Sequence, residues 1–131
     1  MFYLALTFGL ADDPSGAVER MVGLVEATAE RHGVPDPMQM TVATTDGRRL
    51  WSFRYSTAHH SRSLFYSADV RALRRTHPDN PNLLQLSDET RAVVSEPVFD
   101  VADAWIEIPE SSYLVIQDGD DAIQPFRPRP A

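Results

Sequence analysis

The sequence predicts an α+β domain built from a strong amphipathic helix and a multistranded sheet. Three observations carry that expectation. Apolar residues recur at helical spacing across Ser15 to His32. Two alternating segments, Met38 to Thr44 and Arg49 to Tyr55, meet at Asp46-Gly47. Farther along, short apolar runs are punctuated by Pro, Asn and Asp.

The first segment, Phe2 to Leu10, reads FYLALTFGL. As a helix it is apolar nearly all round, so burial on several sides is expected. A domain seldom opens on such a run, and the segment reads as the interior of a longer fold. Ala11-Asp12-Asp13-Pro14 breaks it. Either aspartate can cap a helix, and Pro14 suits the first turn. Val18, Met21, Val22, Val25 and Ala29 then share one face, while Glu19, Arg20, Glu26, Glu30 and Arg31 fall elsewhere. Gly33 is placed to end the helix, and Pro35 and Pro37 stop its continuation.

The Asp46-Gly47 pair between alternating runs is a strong hairpin signal, because glycine accepts the positive φ that a type I′ turn requires. On the second strand Trp51, Phe53 and Tyr55 form an aromatic face opposite Leu50, Ser52 and Arg54. Ser63 to Ser67 is the expected third strand of a meander, reached through a His-rich loop from Ser56 to Arg62. Asp69 to Arg75 fits a short helical turn, followed by a loop, HPDNPN. Arg91 to Pro97, Asp103 to Ile108, Tyr113 to Gln117 and Ala122 to Phe126 are the remaining strand candidates. Asp118 to Asp121 is an acidic turn, and the tail RPRPA, residues 127–131, is expected to be extended and loose.

The bulk numbers narrow the function classes. The chain has 131 residues, 43% of them hydrophobic and 24% charged, which suits one globular domain. Its net charge of −7 repels phosphate backbones, so no nucleic-acid partner is expected. No basic amphipathic stretch suits an anionic membrane, and no apolar run is long enough to span one. With no charged-then-apolar leader, a cytoplasmic location is the expectation. All twelve Lys or Arg positions are Arg, which reads as a coding effect. The chain contains no cysteine, so it holds no disulfide, thiolate metal site or Cys nucleophile.

No motif rises to a catalytic constellation. His59-His60 lacks a third ligand at metal spacing, and a solvated loop is the better reading. His32 at a helix end and His77 before a proline read as structural. Glu89, Glu96, Glu107 and Glu110 offer carboxylates for glycoside chemistry, but spacing alone pairs none of them. Asp118, Asp120 and Asp121 lack calcium-loop spacing. Ser111-Ser112 has no nucleophile-elbow glycines, and Ser95-Glu96-Pro97 suits a turn. Trp51, Phe53, Tyr55, Phe65 and Tyr66 read as core rather than a base-stacking platform. Catalytic, substrate-binding and metal residues are therefore assigned to none of these positions, and no cofactor is expected.

The order of TDGRRLWSFRYS, SLFYS, VVSEP and IPESS resembles the C-terminal half of class II glutamine amidotransferases, above all the stand-alone bacterial type. The likeness runs from Phe2 to about Phe126, which sets residues 1–126 as the domain. It implies half of a four-layer αββα N-terminal-nucleophile-hydrolase sandwich, two helices followed by mainly antiparallel strands. The family's nucleophile is an N-terminal cysteine whose own α-amino group is the base. That cysteine, the oxyanion hole and the glutamine-gripping residues belong to the other half. The resemblance thus implies a chain without the nucleophile, inactive alone, whose parent hydrolyses glutamine or a related amide. The implied partner is that N-terminal half. The alternative is a non-catalytic interaction module that pairs with a separate half or with itself.

Overall fold

The computed structural model describes residues 1–97 and 104–130. It places the helices α1 (Phe2–Thr7) and α2 (Pro14–Arg31) ahead of the strands β1 (Gln39–Thr45), β2 (Arg49–Ser56) and β3 (Phe65–Ser67). The short helices α3 (Val70–Thr76) and α4 (Pro81–Leu84) come next. The strands β4 (Val93–Val94), β5 (Trp105–Glu107), β6 (Ser112–Gln117) and β7 (Asp120–Pro125) complete the order. Asp103, the expected start of β5, and Ala131 lie outside the described residues.

Asp13 caps α2, accepting the Gly16 N–H at 3.0 Å, and Pro14 occupies the first turn as expected. The helix ends at His32, and Gly33 takes φ 66° beyond it. Asp69 and Asn80 cap α3 and α4 in the same manner. The Asn80-Pro81 pair, read from sequence as loop, is thus a helix start.

Among the described residues all strand pairing is antiparallel, in a four-stranded sheet of order β1-β2-β6-β7 and a three-stranded sheet of order β4-β3-β5. This overturns the expected meander, since β2 pairs with β6 and not with β3. The linker from β2 to β3 is too long for a tight turn and carries the chain to the second sheet. The turn chemistry also differs. Only Gly47, at φ 87°, has positive φ in the β1–β2 turn, the pattern of type II′. The type I′ pattern falls at Asp118 (φ 50°) and Gly119 (φ 86°), where β6 turns into β7.

Alternation sorts the four-stranded sheet into two faces. Met40, Trp51, Phe53 and Tyr55 face the helices and pack with Ala17, Val18, Met21 and Val22 of α2. Leu114 and Ile116 face the second sheet and pack with Leu64, Tyr66 and Ile108. The layers are therefore helices, sheet, sheet. Phe53 is fully buried and meets the Tyr113 and Phe126 rings at 5.5 and 5.8 Å, worth roughly 2–3 kcal/mol of burial. The aromatic face is core, as the better reading held.

Two further expectations fail. α1 buries only Ala5, while Phe2 and Tyr3 are 68% and 78% exposed. The tail is not loose over residues 127–130. Phe126 enters the core, and the chain beyond it lies along α2. Arg127 N–H donates to Glu19 Oε1 at 3.0 Å, and Arg129 N–H to the Glu19 carbonyl at 3.1 Å. Arg129 Nε stands 2.6 Å from Glu19 Oε2. Glu19, which periodicity places off the apolar face, is buried because it binds this strap.

Candidate functional site

A dense polar cluster forms where the linker after β2 meets the turn before β6. Alternation on β2 turns Leu50, Ser52, Arg54 and Ser56 toward the second sheet, so Arg54 enters a part-buried place. There its Nη1 donates to the Ile108 carbonyl and to Glu107 Oε1, both at 2.6 Å, and its Nε donates to Ser61 Oγ at 3.0 Å. A part-buried guanidinium needs several acceptors, and the linker and the end of β5 supply them through Ser61, Glu107 and Ile108.

Glu110 clasps the linker from the other side. Its Oε1 accepts the Ser56 N–H at 3.0 Å, and its Oε2 accepts the Ser61 N–H at 2.8 Å together with the Ser61 hydroxyl. Burial by itself would raise the Glu110 pKa. The three hydrogen bonds and the nearby Arg54 charge outweigh it and hold the carboxyl below its ordinary value. Ser56 Oγ accepts the His60 N–H at 2.7 Å, and Gln39 Nε2 donates to the His60 carbonyl at 3.1 Å. His59 and Ser111 both take left-handed backbone, φ 53° and 56°, and His59 Nδ1 lies 3.3 Å from Ser111 Oγ.

A second polar group lies on the helix side. Glu26 Oε1 accepts from Tyr55 Oη at 2.6 Å and from Thr57 Oγ1 at 2.9 Å. Burial and then the Glu26 carboxylate push the Tyr55 pKa up. Glu26 and Thr57 border an open groove of about 510 Å³ closed on one side by Pro128 and Arg129. Two of its polar groups are engaged, Glu26 with two hydroxyls and Arg129 with Glu19, while Glu30 and Asp36 also line it.

The other sequence candidates are dispersed. Glu107 joins the Arg54 cluster with Glu110, whereas Glu96 is exposed and Glu89 lies against Gly119. Asp121 accepts from Tyr66 Oη at 2.9 Å, and burial followed by this partner pushes Tyr66 up to about 12. Asp118 serves the β6–β7 turn. His32 ends α2 with Nδ1 2.7 Å from the Thr28 carbonyl, and His77 ends α3. Among the described residues no three His, Cys, Asp or Glu side chains group as metal ligands.

Acyl transfer needs a nucleophile, a base within reach and free N–H donors for the oxyanion. Here the Ser61 hydroxyl and the Ser56 and Ser61 N–H groups are all committed to Glu110. The cluster acts as a clasp that fixes the linker through Glu110. Arg54 and Ser61 were not singled out from sequence. The readable signal was a charge at an inward position of a strand, since such a residue must be met by buried acceptors.

No protein-family profile matches the chain. No curated protein matches it. Among solved structures it is similar to a glutamine aminotransferase class-II domain protein from Silicibacter pomeroyi, with a TM-score of 0.77 and 30% sequence identity. The alignment covers 98% of this chain and 50% of that one, so the chain spans half the length of that protein.

Proposed function

We propose that the chain is the C-terminal part of a class II glutamine amidotransferase-like amidohydrolase and is catalytically inactive alone. The observation that carries this is the 30% identity spread over 98% of the chain, in a chain without cysteine. The order of TDGRRLWSFRYS, SLFYS, VVSEP and IPESS supports placing it in the second half. The helix, sheet, sheet layering supports three layers of an αββα sandwich, the fourth being contributed by the other half.

In this reading the complete protein uses an N-terminal cysteine from the other half. Its thiolate attacks the carboxamide carbon of glutamine or a related amide, ammonia leaves, and water hydrolyses the thioester. The present chain contributes the aromatic core, the Arg54–Glu110 clasp and the strapped helix α2 that carry the catalytic half. A cytoplasmic location belongs to the same proposal. No helix among the described residues is long and apolar enough to cross a membrane.

Two measurements test it. Purified 131-residue chain is expected to release no ammonia from glutamine above a blank, and turnover would overturn the inactivity. The intact mass of the native protein, with its N-terminus sequenced, is expected to be about twice 14.7 kDa and to begin with cysteine. A native species of 131 residues would overturn the half reading.

A further inference from the structure

Asp-Gly occurs twice in this chain, at Asp46-Gly47 and Asp118-Gly119, and both pairs lie in hairpin turns. Such a pair has chemistry of its own. The glycine nitrogen can attack the aspartate Cγ, because attacker and target sit in adjacent residues. An N–Cγ bond forms, the Cγ–OH bond breaks, and water leaves with the amide proton. Water then opens the five-membered imide at either carbonyl. Opening at Cγ restores aspartate. Opening at the backbone carbonyl leaves isoaspartate, with the chain rerouted through Cγ. Water lost is water regained, so mass is unchanged and neither oxidant nor enzyme is required. Glycine favours the step because no Cβ shields its nitrogen. The step also needs an unengaged N–H, a side chain free to turn, and a protonated carboxyl whose hydroxyl can leave.

The fold opposes all three at Asp46. Gly47 N–H donates to Thr45 Oγ1 at 3.0 Å. Asp46 Oδ1 accepts the Arg48 and Arg49 N–H groups at 2.9 and 2.7 Å, and Oδ2 accepts Arg49 Nη2 and Nε at 3.0 and 3.1 Å. The backbone donors, ahead of the guanidinium, lower its pKa to about 2 and keep it ionised. A carboxylate gripped by charge-assisted bonds is both fixed and a poor electrophile. Asp118 has none of this. Among the described residues its carboxylate has no hydrogen-bond or ion-pair partner, and the Gly119 N–H has no acceptor.

We infer that Asp118 is the site at which the 131-residue chain isomerises spontaneously to isoaspartate, and that Asp46, followed by the same residue, is protected by its own turn. The reaction is internal to two adjacent residues and needs no partner. Its product disturbs a junction. Arg91 Nη2 donates to the Gly119 carbonyl at 2.7 Å, and Gly119 packs on Glu89. Isoaspartate lengthens the turn by one backbone carbon. That draws the Gly119 carbonyl off Arg91 and loosens the two-residue connection that sets the register of β7 on β6.

The test ages the full chain near neutral pH at body temperature, once folded and once in concentrated guanidinium. Peptide mapping with electron-transfer fragmentation, which tells isoaspartate from aspartate, reads both sites. In the folded chain isoaspartate is expected to form at Asp118 roughly tenfold or more faster than at Asp46, the factor that one charge-assisted hydrogen bond is worth in a rate. In guanidinium the two rates are expected to converge. Thr45→Val frees the Gly47 N–H and is expected to raise the rate at Asp46. Asp118→Glu, which cannot close the five-membered ring, is expected to abolish the product in the β6–β7 turn. A folded chain in which Asp46 reacts as fast as Asp118, or in which Asp118 does not react, overturns the proposal. So does a difference that persists in guanidinium, since it would belong to the flanking sequence and not to the fold.

Discussion

Gly23 of α2 lies directly beneath the Arg129 carbonyl: a Cβ built on it would stand 1.9 Å from that oxygen. The obstruction is backbone, so it cannot be relieved by rotating a side chain. In an open helix interior Gly→Ala gains about 1 kcal/mol. Here Gly23→Ala must displace the strap and break the Arg129 N–H bond to Glu19. The expected net effect in the full chain is a loss of about 1 kcal/mol. In a chain ending at Phe126 the same substitution should gain about 0.5–1 kcal/mol. Urea denaturation of the four proteins reads the change of sign.

Glu19 gives the strap its anchor. Its carboxylate is buried and accepts the Arg127 N–H, while the Arg129 side chain is 58% exposed. Glu19→Ala removes the acceptor and is expected to cost about 2 kcal/mol. Arg129→Ala loses only a solvent-screened partner and should cost under about 1 kcal/mol. A strap held by the ion pair would make the two costs equal. Thermal denataturation of both variants separates the accounts.

Glu110→Ala strands the Ser56 and Ser61 N–H groups and is expected to cost about 2–3 kcal/mol, as unfilled buried donors do. The carboxyl also makes stability depend on pH. Its folded pKa lies below the ordinary value of 4.5, so its contribution is complete above that value and is lost as pH falls through the folded one. Asp46, lowered to about 2 by the Arg49 and Arg48 N–H groups, follows the same sign from its ordinary 3.8. Denaturant midpoints of wild type and Glu110→Gln should therefore draw together as the pH falls below 4.5 and through the folded pKa. A gap that stays undiminished as far as the acid limb can be followed would rule out the carboxylate as its source.

Local signals were legible in this chain where one residue decides the outcome. Asp13, Pro14 and Gly33 bound α2 in sequence and in structure because caps act over a single turn. Sheet membership was not legible. Whether β3 continues from β2 depends on the pairing of β2 with β6, some sixty residues away. The strap was missed for the same reason, since an acidic residue on a helix looks solvated until a distant backbone comes to meet it. The clasp was half visible. Arg54 interrupts an inward strand face, but the acceptors it requires arrive from Ser61, Glu107 and Ile108. The family likeness was readable because four short motifs keep their order, even though none carries chemistry alone.

The two hairpin glycines test how far turn chemistry reaches. Gly47 and Gly119 share φ near 87°, where any L side chain is strained. A Cβ on Gly47 meets open space, whereas one on Gly119 would lie 3.0 Å from Glu89 Cβ. Gly47→Ala is expected to cost about 1 kcal/mol from the backbone alone. Gly119→Ala should cost more, by an amount that Glu89→Ala partly restores. A double-mutant cycle in urea measures that coupling, and additive costs would exclude the contact.

Ser52 offers the opposite expectation. It is fully buried on β2 between Ala43 and Leu114, and its hydroxyl finds no hydrogen-bond partner among the described residues. A hydroxyl held that way has lost its water and gained nothing in return. Ser52→Ala removes the group and leaves little volume unfilled. It is expected to be neutral or to stabilise by up to about 1 kcal/mol, against the usual trend for core substitutions. A loss above about 1 kcal/mol in urea denaturation would mean that the hydroxyl has a partner. The most direct source of such a partner is a buried water between the two sheets; if the chain is one half of a longer protein, as proposed, the other half's polypeptide is the alternative, and the same substitution in that longer protein separates the two.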